Sequence, residues 1–168
     1  MLVVDSREKW VQPGADDLHI SKYFDKHGIA YEVRKLDIGD YMLDTNPALT
    51  VDRKASLEEL ARNLMNRADS SRFWREVRRA HEAGVKLVIL CEHGHDVRTI
   101  MDVPKWKSRY TRVTGRALLD EMIRLEMAYG VVWRFCNRRE TGKRIVEILT
   151  EGRGAECQMA GGSNCTVP

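Results

Sequence analysis

The sequence is poor in cysteine and has none of the close cysteine pairs that bind zinc or form redox centres. Its four cysteines lie at positions 91, 136, 157 and 165, and none forms a C-x-x-C pair. This spacing excludes a zinc knuckle and a thioredoxin-type motif, and we expect the thiols to be reduced.

Long apolar segments, leader sequences and internal repeats are also missing. A membrane-spanning helix needs about 20 apolar residues, and no stretch of the chain approaches that length. The N-terminus runs directly into a predicted strand, without a basic leader or cleavage site. We expect a cytoplasmic protein with no membrane partner, of a kind that suits a bacterial or phage genome.

The composition predicts one domain followed by a tail. Hydrophobic residues make up 43% and charged residues 32% of the 168 positions, as in soluble globular proteins. The net charge of +3 identifies no partner, because local patches decide binding. Residues 1–150 are predicted to form a single domain. Residues 151–168 are rich in glycine and predicted to be a flexible tail.

Short β-rich runs alternate with helical patterns along the chain, which predicts an α/β domain with helices packed on a mixed sheet. The predicted strands are residues 2–4, 49–52, 86–91 and 131–136, together with residues 31–36 and 40–43, which form either one long strand or two pieces bent at Gly39. A hairpin is predicted between residues 40–43 and 49–52. Helices are predicted around residues 20–27, from 56 or 57, over 72–83, after Thr114 and from Thr141.

Three acidic residues and a lysine stand near these strands. Asp40 and Asp52 are separated by eleven residues, so their carboxylates can meet across the hairpin. Asp5 directly follows the first strand. Mg²⁺ binds carboxylate oxygens and water, so the pair fits a hard cation. Because side chains alternate along a strand, Lys54 shares a face with Asp52, where its ammonium can hold or help deprotonate a metal-bound water.

Each of these short motifs alone is more often a turn or a solvated edge strand, and only their combination favours phosphodiester hydrolysis. Three strings then carry a resemblance to a known family: VVDSRE (3–8), LDIGDYML (36–43) and VDRKASLEEL (51–60). They resemble the XPF-type structure-specific endonucleases, whose signature is G-D, a spacer, E-R-K, three residues and D. The resemblance spans roughly residues 2–150. It implies a restriction-endonuclease-like fold, in which α-helices flank a central mixed β-sheet.

The resemblance also implies the members of an active centre. Asp5, Asp40 and Asp52 are implied as ligands of Mg²⁺ or Mn²⁺, or as close supports of the ligands. Arg7 is expected to form a structural ion pair. The full set of implied catalytic residues is Asp5, Glu8, Asp40, Asp52, Arg53, Lys54 and Arg72.

Two positions depart from the family signature. Asp52 stands where the family usually has Glu, and Glu58 stands where it usually has Asp. In the wider group of this fold either acid serves at the position of Asp52. Glu58 lies in the first turn of a predicted helix, where a carboxylate also interacts favourably with the helix dipole, so a functional and a structural role both stay open.

A basic segment at residues 104–116 contains five cations and no acid. Cations of this kind release counterions from a DNA backbone, and an aromatic ring can stack on an unpaired base. A solvated loop is the structural alternative. The DNA contacts predicted here are Lys105, Trp106, Lys107, Arg109, Arg112 and Arg116, with Tyr110 as a second candidate for stacking.

Together these features predict a metal-dependent DNA endonuclease that acts on branched, flapped or otherwise structured DNA. Family behaviour implies a homodimer or heterodimer formed through the C-terminal helices, including the apolar face around residues 118–127. Two alternatives stay open. One is a catalytically inactive DNA-binding or scaffold module, and the other is an RNA-processing nuclease on the same fold.

Overall fold

The computed structural model describes residues 1–15, 18–65, 67–94 and 96–151. The predicted tail lies outside the described residues from position 152 onward. Within the described ranges no helix is long and apolar enough to cross a membrane.

In the part of the chain that the structure describes, six strands form one mixed sheet in the order β2-β1-β3-β4-β5-β6. β1 is parallel to β2 and antiparallel to β3, while β3 and β4 form the predicted antiparallel hairpin. β4, β5 and β6 are parallel. The strands are β1 (Leu2–Asp5), β2 (Tyr31–Arg34), β3 (Tyr41–Leu43), β4 (Asn46–Lys54), β5 (Lys86–Glu92) and β6 (Val132–Cys136).

Among the described residues, five α-helices cover the two faces of the sheet, which confirms the predicted α/β architecture. They are α1 (His19–Lys26), α2 (Leu57–Met65), α3 (Arg67–Glu82), α4 (Gly115–Tyr129) and α5 (Thr141–Glu151). α2, α3 and α4 pack on one face through Leu60, Phe73 and Met122. α1 and α5 pack on the other face through Phe24 and Ile145. β5 is buried on both faces, as its continuous apolar run predicts.

Local signals set both boundaries of α4. The Thr114 side chain accepts a hydrogen bond from the Ala117 N–H and begins α4, and Gly130, with φ +69°, ends it. α3 begins at Arg67, five residues before its predicted start at Arg72. The first turn of α3 is polar and carries no apolar periodicity, so the sequence pattern did not reveal it.

Gly39 forms the turn that leads into β3. Its φ is +71°, and a Cβ added there would lie 2.9 Å from Cβ of Thr50 and 3.1 Å from the carbonyl oxygen of Val51. The turn therefore needs a glycine both for its backbone conformation and for the close approach to β4. This contact sets the position of the next residue, Asp40.

We expect Gly39→Ala to destabilise the protein more than Gly84→Ala, as measured by urea unfolding. Gly84 has a similar φ of +65°, but no atom lies within 4 Å of an added Cβ. Gly84→Ala therefore measures only the free-energy cost of placing alanine in a left-handed backbone conformation. This conformational cost is about 1–2 kcal/mol. Gly39→Ala should cost more, because its Cβ would also clash with Thr50. Equal losses of stability would contradict the importance of the close approach.

Candidate active site

Asp40 is held between β1 and β4 by backbone hydrogen bonds. Its N–H donates to the carbonyl of Val51 (2.8 Å), and its carbonyl accepts from the N–H of Asp5 (2.7 Å). Its carboxylate Oδ2 accepts a hydrogen bond from the N–H of Arg53 at 2.8 Å. The predicted approach of Asp40 to the end of β4 is therefore present, and Asp5 lies beside it on β1.

Asp52 and Lys54 lie on the same face of β4 and form a buried ion pair. Nζ of Lys54 donates to Oδ1 of Asp52 at 2.6 Å, and it lies 5.3 Å from the ring centre of Phe73 on α3. Burial opposes the charge on Lys54, but the neighbouring carboxylates of Asp52 and Asp40 outweigh it and raise the lysine pKa. Lys54 is thus a protonated cation at neutral pH.

The electrostatics of Asp40 reflect crowding of like charges. Burial raises its pKa well above the ordinary value, and the nearby carboxylates of Asp52 and Glu8 raise it further. Lys54 and the Arg53 N–H act in the opposite direction without cancelling the rise. Neighbouring carboxylates that disfavour each other's ionisation are the arrangement that a bound cation would relieve.

One buried carboxylate oxygen of this cluster has no hydrogen-bond partner. Oδ2 of Asp52 is buried and makes no hydrogen bond, while the whole residue is only 2% exposed. A buried, unpartnered carboxylate oxygen is costly, and a cation would satisfy it. Asp40 and Asp52 therefore fit Mg²⁺ or Mn²⁺, since Mg²⁺ is often held by one or two carboxylates together with water and substrate phosphate.

Asp5 is engaged by a neighbouring arginine. Nε of Arg7 lies 3.1 and 3.0 Å from the two carboxylate oxygens of Asp5, and Nη2 of Arg7 contacts Oδ2 as well. The predicted structural ion pair of Arg7 is confirmed. Among the described residues, no group of three or more His, Cys, Asp or Glu side chains has the arrangement of a metal site. The fit to a cation thus rests on two carboxylates.

Arg53 points to the opposite face of the sheet, as strand alternation predicts, and enters a buried polar network. Its Nε donates to Oε1 of Glu92 (2.6 Å), and its Nη1 donates to Oε1 of Glu8 (2.8 Å). The hydroxyl of Thr141 also donates to Oε1 of Glu92, at 2.9 Å. Burial would raise the pKa of Glu92, but hydrogen bonds from His19 and Arg53 lower it overall. Arg53 and Glu8 thus form a buried ion pair, and their predicted catalytic role stays a prediction.

A cavity of about 240 Å³ opens next to Asp5 and Asp40. Arg72, a predicted site residue, lines it from α3. Glu76 also lines it and accepts a hydrogen bond from the Gly39 N–H at 2.8 Å, although the sequence reasoning missed this residue. Its spacing of four from Arg72 on a helix was the available signal. The lining residues are Asp5, Arg7, Asp37, Asp40, Arg72, Arg75, Glu76 and Arg79.

Glu58 anchors the basic segment to the start of α2. Its carboxylate accepts hydrogen bonds from the hydroxyl of Ser108 (2.8 Å) and the N–H of Arg109 (2.9 Å). The same Ser108 oxygen accepts from the N–H groups of Tyr110 and Thr111, so the loop is organised around it. The carboxylate of Glu58 therefore holds a loop, beyond any interaction with the helix dipole.

The predicted stacking of Trp106 on DNA stays a prediction, although little of its side chain is exposed. The side chain is 8% exposed and belongs to the core beneath α4, because the short 3-10 helix Ile100–Lys105 turns the chain inward at this point. Tyr110 is 83% exposed. Lys105, Lys107, Arg109 and Tyr110 line a separate cavity of about 520 Å³ near Glu58. Arg112 and Arg116 are exposed.

Comparisons with known proteins identify a family and similar folds. The ERCC4 domain matches residues 4–148, and no curated protein matches the chain. The solved structure of XPF from Aeropyrum pernix is 20% identical with a TM-score of 0.65, covering 95% of this chain and 68% of that chain. XPF from Aeropyrum pernix in complex with DNA is also 20% identical with a TM-score of 0.64, covering 92% and 65%. These likenesses confirm the predicted fold, and the chain spans about two thirds of the length of XPF.

We expect Asp40→Asn to stabilise the metal-free protein increasingly as the pH rises. The folded pKa of Asp40 is above the ordinary 3.8, so the folded state holds the proton more tightly than the unfolded state. The stability of the wild type therefore falls as the pH rises through that folded pKa. Asparagine removes this loss. Urea unfolding in EDTA from about pH 4 to 8 measures it, and a difference independent of pH would contradict it.

We expect Arg53→Ala to cost about 3–5 kcal/mol of stability in urea unfolding, since it leaves Glu8 and Glu92 buried without their cation. Arg34→Ala is the control. It removes an exposed ion pair with Asp44, whose loss costs about 0–1 kcal/mol. If the two variants are equally stable, the buried network does not support the site.

Proposed function

Since this chain belongs to the ERCC4 domain family, we propose that it is a metal-dependent DNA endonuclease that hydrolyses phosphodiester bonds in branched, flapped or otherwise structured DNA. The observation that carries this proposal is the unpartnered buried oxygen of Asp52. It occurs in a cluster that also contains Asp40, with its raised pKa, and the cation Lys54.

In this proposal Asp40 and Asp52 hold Mg²⁺ or Mn²⁺. When bound, the ion lowers the pKa of a coordinated water and offsets the negative charge that develops on the phosphoryl group. Asp5 is proposed to support the ligands from β1 or to join them once Arg7 turns to a phosphate. The Arg53 backbone fixes the carboxylate of Asp40.

Lys54 is proposed to act as a fixed positive charge. Its ion pair with Asp52 holds the ammonium at the site, where it can orient the attacking water and stabilise the transition state. A cation paired in this way is a poor acceptor of a proton. We therefore propose an electrostatic role for Lys54.

Arg72 and the basic segment are proposed to hold the nucleic acid. Arg72 is exposed at the rim of the cavity beside Asp40, where its planar guanidinium suits a phosphate. Lys107 and Arg109 offer further charge next to the loop organised by Ser108, and Lys105 lies beside them, paired with Asp102. Tyr110, rather than Trp106, is proposed to stack on an unpaired base. XPF from Aeropyrum pernix has been solved in complex with DNA, which supports the proposal that this chain binds DNA.

Association through the C-terminal helices is also proposed, as a homodimer or heterodimer. The predicted apolar face of α4 is mostly used within the chain, because Leu118, Leu119, Met122 and Leu125 are buried. Ile123 and Met127, spaced by four residues, remain 42% and 84% exposed. These two side chains are the part of that face that a partner would cover.

We expect the pure protein to cleave labelled flap or duplex DNA in Mg²⁺ or Mn²⁺ and not in EDTA. Asp40→Asn, Asp52→Asn and Lys54→Ala should each reduce the cleavage rate by about 100-fold or more, since each removes a charge on which the transition state depends. Asp44→Asn, an exposed acid paired with Arg34, is the matched control.

Two results of this assay would reject the proposal. One is the absence of metal-dependent cleavage on every DNA substrate, which would favour an inactive binding module. The other is equal cleavage by wild type and Asp40→Asn. Parallel reactions with RNA of the same structure distinguish a DNA nuclease from an RNA nuclease.

A further inference from the structure

Three arginines of α3 line the cavity that contains Asp5 and Asp40. Arg72, Arg75 and Arg79 are spaced by three and four residues, so they lie along one face of the helix. All three are exposed. Within the described ranges none of them forms an ion pair with another side chain. Arg79 donates a hydrogen bond to the backbone carbonyl of Asp37, which is a neutral acceptor.

These arginines supply positive charge in a cavity that is otherwise lined largely by carboxylates. Asp5, Asp37, Asp40 and Glu76 line the same cavity, and a cleft lined by carboxylates alone repels a polyanion. Arg7 is paired with Asp5, so it contributes little free charge. The cations of α3 are therefore the main groups in this cavity that can attract DNA.

The dimensions of the row match a nucleic-acid strand. From residue 72 to residue 79 a helix rises about 10 Å. One strand of duplex DNA places a phosphate about every 3.4 Å along its axis, so the row spans about three nucleotides. Guanidinium groups bind phosphate oxygens with two parallel N–H donors. The arginines thus suit consecutive phosphates better than a single one.

We infer that Arg75 and Arg79 extend the active site along α3 as a phosphate-binding surface that holds the DNA backbone on one side of the cleaved bond. The inference rests on the proposed function, because it requires that the chain bind DNA. It adds a surface that is separate from the basic segment, which lines a different cavity near Glu58.

The test is binding of fluorescently labelled flap and duplex DNA to the full chain, measured by anisotropy in EDTA so that no cleavage occurs. The variants are Arg75→Ala, the double variant Arg75→Ala/Arg79→Ala, and the charge-preserving double variant Arg75→Lys/Arg79→Lys. Arg78→Ala is the matched control. Arg78 is exposed on the same helix, so Arg78→Ala removes the same charge as Arg75→Ala. Arg78 does not line the cavity.

We expect the double alanine variant to weaken binding about tenfold at about 100 mM salt. The slope of log affinity against log salt should fall by about two, or nearly one per lost phosphate contact. Arg75→Ala should lose about half of this slope. Arg78→Ala should change affinity less than about twofold, and the lysine double variant should keep most of the wild-type slope.

Three outcomes would overturn the inference, and they separate it from the proposed function. If wild type binds DNA but the double alanine variant matches Arg78→Ala, the α3 surface is wrong and the nuclease proposal stands. If the double lysine variant lowers the salt dependence of binding as much as the double alanine variant, the effect does not come from the loss of positive charge that contacts phosphates. If wild type binds no DNA, both fail.

Discussion

The hydrogen bond from the Arg53 N–H to the carboxylate of Asp40 is the contact on which the arrangement of the site depends. It places one acid beside the strand residue that follows Asp52. The side chain of Arg53 leaves the other face of β4 and binds Glu8 and Glu92. A single residue therefore holds Asp40 through its backbone N–H and joins Glu8 to Glu92 through its guanidinium.

This arrangement is electrostatically unfavourable by itself. Burial and the charge of Asp52 raise the pKa of both Asp40 and Glu76, and an oxygen of Asp52 has no partner. An unfavourable arrangement of this kind persists only where contacts in the surrounding fold hold the residues in place. Here the apolar cores on both faces of the sheet do so, because β4 and β5 are buried on each side and cannot shift to separate the charges. Local rules are violated at the place where function is proposed.

Several features could be predicted from residue patterns because their physics is local. Strand alternation put Asp52 and Lys54 on one face and Arg53 on the other, and the ion pair of Arg7 with Asp5 needs only two residues of chain. Other features depend on distant segments. The burial of Trp106 follows from α4 packing over it, and the contact of Glu58 with Ser108 joins residues fifty positions apart. The basic residues near Trp106 and Ser108 in the sequence predict neither the burial of Trp106 nor the contact of Ser108 with Glu58.

Local sequence alone determined the order of helices and strands, the glycine turn before Asp40 and the identity of the charged groups, since these depend on periodicity, backbone freedom and side-chain chemistry. Tertiary structure decided which of these groups meet. It brought Glu76 from α3 to Gly39, turned Trp106 into the core and lined one cavity with both acids and arginines. The reason is that electrostatic and packing contacts depend on distance in space, which the separation of residues along the chain does not fix.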